Sequence, residues 1–444
     1  MAPSGHIAII GAGVSGLTVA YELSKQGYEV SVFEEQQQVG GLARSTMLDG
    51  HPVDRYYHFI CSGDDHLKGL IDELGLADKL HWRVGLTSYY VDGKLYPFTT
   101  PLDILLFSPI SIVSRIRFGL HGARARRFTH WESLEDITAE DWLVDGMGRQ
   151  AYETIWLPLL QMKFGQDAGD VSAPWMWHRI HRVITSRKSI LRPEQLGYMA
   201  DGSTTLLSGL VEALRHMGAS LHLAQPVREL VAGADGVRRV VTDQADIPVD
   251  AVVSTVPLPV LRDILPRSAA DYRAELARTR FLGVICLLAR LHEPLTSSFW
   301  VNANDARAPF SGFIEYANLN PCPGLAGDAL LYVPLYMPTD DPRFGLSDSE
   351  FAQGIIEGLT ALFPQFDASG VHRTMVTRDA HAQAFCPPGF RHRIPSMQSP
   401  LPGLFLTDST QLYPADRNIS GMIGLARQAA HRCAACLDPS PSGR

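Results

Sequence analysis

A short apolar run, His6 to Ile10, leads directly into Gly11-Ala-Gly13-Val-Ser-Gly16. Apolar residues at helical spacing follow, with Leu17, Ala20, Tyr21 and Leu23 mostly on one side. A second apolar run, Glu29 to Phe33, ends at Glu34. Strand, glycine triplet, helix, strand and acid in this order constrain the chain more than any other feature. Gly11 permits a tight turn, Gly13 leaves the backbone bare where a diphosphate must come close, and Gly16 lets the helix lie against the strand. Free N–H groups at the helix start then face the phosphates. Glu34 is placed to accept hydrogen bonds from ribose hydroxyls and would repel a 2′-phosphate, which argues against NADP. The expected fold is α/β, opening with a Rossmann-like dinucleotide unit.

A second glycine pair follows in Val39-Gly40-Gly41-Leu42-Ala43-Arg44. With it the sequence resembles the superfamily of flavin-containing amine oxidases, protoporphyrinogen oxidases and phytoene desaturases, whose fold group UDP-galactopyranose mutase shares. Three later segments carry the same resemblance: Tyr198 to Leu207 around Asp201-Gly202; His222 to Val227 with Ala251 to Pro257; and Gly403 to Asp408 with Asn418-Ile-Ser-Gly421-Met422-Ile423-Gly424. The resemblance implies FAD as cofactor, in a domain of the glutathione-reductase-2 type. It places Gly40, Gly41 and Arg44 near the phosphates, Val227 at the adenine, Thr255 at the cofactor, and Asp408 on the ribityl chain or pyrophosphate. The helix beginning near Gly421, Met422 and Ile423 would aim its N–H groups at the isoalloxazine N1/O2 edge, where reduction deposits negative charge. The implied FAD domain is discontinuous, 1–95, 198–265 and 385–436. An interleaved α+β substrate domain takes 96–197 and 266–384, and 437–444 is a flexible tail.

A flavin oxidises by accepting a hydride at N5, so the substrate depends on what faces N5. Amine oxidases place a lysine from the late part of the substrate domain there, and this chain has no lysine after Lys188. They also flank the amine with a tyrosine at the position that is Gly421 here, so an amine is not the expected substrate. The segment Asp54 to Asp65 resembles the mutase loop that sets a histidine against the flavin. His58 and its neighbour Tyr57 are the catalytic candidates, His58 being either a base near N5 or a structural histidine. Lys163 either binds an anionic group or caps its helix. Glu315 or Asn318 lines the pocket from a strand, and Tyr413 and Arg417 lie near the isoalloxazine, Arg417 as an anion binder.

The leading expectation is an FAD-dependent dehydrogenase, oxidase or desaturase acting on a partly apolar biosynthetic small molecule. The alternatives are a non-redox sugar mutase working through reduced N5, and a flavin-binding partner subunit without turnover. A net charge of −8 excludes nucleic-acid binding through bulk charge. Six cysteines in 444 residues exclude a disulfide scaffold. No metal site is expected. The chain reads as cytoplasmic. Leu102 to Val113, followed by Arg115, Arg117, Arg124, Arg126 and Arg127, reads as a buried helix before a solvated one, or as peripheral contact with an anionic membrane. Oligomeric state is not legible in the sequence.

Overall fold

The computed structural model describes residues 5–185, 193–233, 235–325 and 327–438. The expected tail, 437–444, lies outside the described residues beyond Asp438. Strand β1 (His6–Ile10) runs into helix α1 (Val14–Lys25), which returns to β2 (Glu29–Phe33). Three later strands, β3 (Ser220–His222), β4 (Ala251–Ser254) and β5 (Leu404–Leu406), complete a five-stranded sheet in the order β5-β4-β1-β2-β3. Every pairing in it is parallel. A parallel sheet is covered on both faces, so its strands are apolar throughout, not alternating. Accordingly Ile7, Ala8 and Ile9 are all fully buried. Ile7 and Ile9 pack with α1 and with the C-terminal helix (Ile419–Leu437). Ala8 and Ile10 face Leu230 and Val240 of a three-stranded antiparallel meander, Val227–Gly233, Gly236–Thr242 and Asp246–Pro248.

A seven-stranded sheet forms the second body, in the order Val371–Ala384, Phe281–Leu291, Ala329–Met337, Gly312–Glu315, Trp300–Asn304, Thr87–Val91, Lys94–Pro97. Along Phe281–Leu291, Ile285, Leu287 and Ala289 face one core while Val284, Cys286 and Leu288 face another. Residues 87–95, which sequence alone groups with the dinucleotide unit, run in this sheet. Thr87–Val91 pairs in parallel with Trp300–Asn304, a partner some two hundred residues away that leaves no local signal.

Helices cover one end of this body: α2 (Pro101–Leu106), α3 (Ile112–Arg127), α4 (Leu157–Phe164) and α5 (Ala173–Thr185). Helix α2 starts at a capping box, in which Thr100 Oγ1 accepts from Asp103 N–H and the Asp103 carboxylate accepts from Thr100 N–H, with Pro101 in the first turn. The buried-helix reading of Leu102 to Val113 fails. Leu102, Leu105, Leu106, Ile112 and Val113 are exposed, because Phe107 and Ile110 in the connecting turn supply the buried anchors. Among the described residues no helix is long and apolar enough to cross a membrane.

Candidate active site

A cavity of about 1540 Å³ runs from the β1–α1 turn to the helical end of the second body. That exceeds the size range of a pocket for one drug-sized ligand. At the turn, Gly11 has φ +96°. A Cβ on Gly16 would lie 1.9 Å from the Gly11 carbonyl oxygen, so only glycine lets α1 start this close to β1. Gly13 meets nothing nearer than the Gly41 Cα at 3.9 Å, so these two glycines face each other across a bare groove. The start of α1 carries no side-chain cap and no acidic residue in its first turn, which leaves its N–H groups for a ligand.

Glu34 sits at the end of β2 on the cavity wall. Its Oε2 accepts from Ala12 N–H at 2.8 Å and its Oε1 from Gln36 N–H at 3.0 Å, which fixes the carboxylate beside the turn. Gly40, Arg44, Val227, Thr255 and Asp408 line the same wall. Thr255 Oγ1 donates to Ile10 O at 3.0 Å, and Asp408 Oδ1 accepts from Thr410 N–H at 2.8 Å. Burial pushes the Asp408 carboxyl above its ordinary value. At the C-terminal helix, Asn418, Ile419 and Met422 face the cavity, but Gly421 and Ile423 do not. Gly421 N–H is taken by the Asn418 side chain at 2.7 Å, and Ile423 is fully buried against α1. Gly16, Gly421 and Ile423 therefore shape the wall from behind. An uncapped helix start, facing glycines and a carboxylate at the second strand's end fit the diphosphate and ribose of a dinucleotide.

The far end of the cavity is aromatic and cationic. Tyr57 meets Trp300 edge to face at 5.3 Å and Tyr332 at 6.3 Å. Burial drives the Tyr57 phenol well above its usual value. His58 Nδ1 is buried without a hydrogen-bond partner, 3.5 Å from Asp54 Oδ2. Asp54 is already committed to Ser203 N–H at 2.9 Å and to Ser45 Oγ at 3.2 Å. Arg179 Nη1 lies 2.7 Å from Asp416 Oδ2, and Arg417 Nη2 donates to Tyr336 Oη at 2.9 Å. Lys163 Nζ stands over the rings of Tyr336 at 4.6 Å and Trp175 at 5.0 Å. Burial, reinforced by Arg179 and Arg417 and only partly offset by Asp416, lowers the Lys163 ammonium from 10.5 to about 7. Burial alone would raise Asp416, but Lys163, Arg179, Arg417 and Arg182 hold it low.

Three expected pocket residues do other work. Glu315 is 1% exposed and accepts from Leu295 and Thr296 N–H and from the Thr296 hydroxyl. Asn318 Nδ2 donates to Thr296 O and Ser298 O at 3.1 and 2.8 Å. Both fasten the loop before Trp300. On the short strand Gly312–Glu315 it is Gly312 and Ile314 that face the cavity, and strand alternation turns Glu315 away. Tyr413 donates to Glu135 Oε2 at 3.1 Å and sits off the cavity. Arg179, Trp300 and Tyr336 were missed. Trp175, Arg179 and Arg182 share a helical face, a readable signal. Trp300 and Tyr336 come from separate strands and have none.

Both ends of this cavity serve one ligand only if its reactive ring lies far from its diphosphate, which defines the chain as a dinucleotide-binding protein. Residues 14–435 match the model of the flavin containing amine oxidoreductase family. The chain belongs to that family, and FAD is its cofactor. It is 32% identical over 115 residues to protoporphyrinogen oxidase 2 of Arabidopsis thaliana, a match covering 25% of this chain and only 23% of that protein. Zeta-carotene desaturase of the same plant is 22% identical, over 96% of this chain and 85% of its own. A crystal structure of reduced UDP-galactopyranose mutase superposes with a TM-score of 0.69 at 16% identity, covering 88% of this chain and 85% of the mutase, a likeness of fold alone.

Proposed function

We propose that the protein is an FAD-dependent oxidoreductase that removes a hydride from a C–H bond of a partly apolar small molecule bearing an anionic group. One observation carries the substrate class: Lys163, Arg179 and Arg417 gather around a shared carboxylate, Asp416, at the reactive end, so positive charge exceeds negative in that cluster. Such a surface attracts an anion and repels the ammonium of an amine. Bound FAD supplies the two-electron acceptor. The chain's own groups do the rest. Tyr57, Trp300 and Tyr336 wall the site and limit water. Arg417, held by the Tyr336 hydroxyl, orients the anionic group. Lys163, titrating near neutrality, and His58 Nδ1 are the groups able to take up the proton released when an X–H bond accompanies the C–H bond.

The test begins with the visible spectrum of the purified protein under anaerobic conditions. Bleaching of the flavin by a candidate carboxylate or phosphate, and not by its neutral ester, supports the reading. Turnover only after prior reduction, with no net electron consumption, would instead support a mutase. Arg417→Gln should raise KM for the anionic substrate about 10- to 100-fold, the worth of a charge-assisted hydrogen bond. An unchanged KM with a shifted flavin potential would move Arg417 from the substrate to the cofactor.

A further inference from the structure

Helices α2 and α3 turn an unusual surface outward. Leu102, Leu105 and Leu106 on α2 and Ile112, Val113, Ile116 and Leu120 on α3 are each between 50% and 68% exposed. Their spacing along α3, i, i+1, i+4 and i+8, makes one stripe. Arg115 braces the two helices together, its Nη1 donating to Leu105 O at 2.8 Å and its Nε to Ile110 O at 2.9 Å, so the two exposed apolar sets lie on adjoining helices. Val183 at the end of α5 is also exposed. An apolar patch of this extent is rare on a soluble surface without a partner.

The charges around the patch are one-sided. Residues 101–127 carry five arginines, Arg115, Arg117, Arg124, Arg126 and Arg127, and one acid, Asp103. Asp103 is consumed by the capping box at Thr100. Among the described residues none of these arginines forms an ion pair. The inner side of the same helices is cavity wall. Pro101, Ile104 and Phe118 line it, and Ala123, Arg126, Arg127 and Val183 are both exposed and cavity-lining. The cavity therefore reaches the surface beside the apolar stripe.

We propose that the α2–α3 face docks on an anionic lipid bilayer, and that the cavity mouth beside it admits a lipid-soluble substrate directly from the membrane. The leucines and isoleucines enter the interfacial region while Arg124, Arg126 and Arg127 meet lipid phosphates, Arg115 and Arg117 being held by the Leu105, Ile110 and Asp145 carbonyls, the arrangement of a peripheral helix. The entry route rests on the oxidoreductase reading above; the docking does not, because vesicle binding is measured without turnover.

The experiment is co-sedimentation of the FAD-loaded protein with vesicles of phosphatidylcholine alone, or of phosphatidylcholine with about a third phosphatidylglycerol. The expected result is binding at least about tenfold stronger to the anionic vesicles, reduced about fivefold by Arg124→Gln. Ile112→Gln with Ile116→Gln should lower binding about tenfold or more while FAD absorbance and unfolding temperature stay unchanged. No binding of the unaltered protein, or unaltered binding of the double variant, overturns the proposal. So does a dimer in vesicle-free solution that the double variant dissociates, since a second copy would then cover the face.

Discussion

Replacing Lys163 by methionine keeps the length and apolar character of the stem and removes the charge. The ammonium is lowered from 10.5 to about 7 by its burial. At about 1.4 kcal/mol per tenfold change, that drop sets a ceiling near 5 kcal/mol on the cost of holding the lysine protonated in the folded chain. The expected cost is about 3 to 5 kcal/mol, since the same shift sets both the energy and the pH window. The sign follows from proton binding. Below the folded value both folded and unfolded chains carry the proton, and the full cost is present. Between about 7 and 10.5 the unfolded chain binds a proton that the folded chain does not, so stability rises with pH. Above 10.5 both are neutral and the cost is gone. Lys163→Met should therefore be more stable than the unaltered protein by about 3 to 5 kcal/mol near pH 6. The gap should narrow steadily from about pH 7 and close only above about 10.5, where the ionisation cost has gone. Urea unfolding of both proteins at saturating FAD, across this range, measures the difference. A gap that does not change with pH, or a variant less stable at the acid end, would refute the buried-ammonium argument. If Lys163 also takes up the substrate proton, the acid limb of kcat/KM near pH 7 should vanish in the variant.

Two neighbouring glycines should separate folding from cofactor binding. Gly16→Ala drives a Cβ into the Gly11 carbonyl and should leave little folded protein, seen as loss of the cooperative thermal transition. Gly13→Ala, at φ −70° with no atom nearer than 3.9 Å, should fold normally yet lose flavin absorbance on gel filtration, because its methyl occupies the diphosphate path. Retention of FAD by Gly13→Ala would displace the cofactor from this groove. Glu315→Ala strands two backbone donors and a hydroxyl and should cost about 3 kcal/mol in denaturant unfolding. Activity of the folded fraction should be unchanged; a tenfold rise in KM would return Glu315 to the substrate path.

The dinucleotide half of the site was legible because its chemistry is local. Gly11, Gly13 and Gly16 lie within six residues, and Glu34 follows at the end of the next strand, so one stretch of chain builds the cradle. The glycines are needed by backbone geometry that holds whatever else the protein does. The same reasoning fixed the α/β class, and it named Lys163 and Arg417 from their neighbours in the sequence and His58 from the resemblance, all of which line the cavity. It could not say whether Lys163 caps a helix or faces a ligand, since that depends on Tyr336 and Trp175, brought beside it from elsewhere in the chain. It gave Glu315 to the pocket because a strand residue's face is set by its partner's register, which no local pattern encodes, and it gave Tyr413 to the pocket from its place between Asp408 and the C-terminal helix, where the turn Ser409–Leu412 instead directs it to Glu135. The absence of a late lysine was read correctly, yet the cavity has a lysine, supplied by α4. The apolar run from Leu102 was visible, but whether it faced core or solvent was decided by packing, once Phe107 and Ile110 had filled the available interior. Sequence thus determined what one continuous segment can do by its own backbone and spacing. The charge and exposure of the reactive end belong to the tertiary structure, because burial and proximity exist only after distant segments meet.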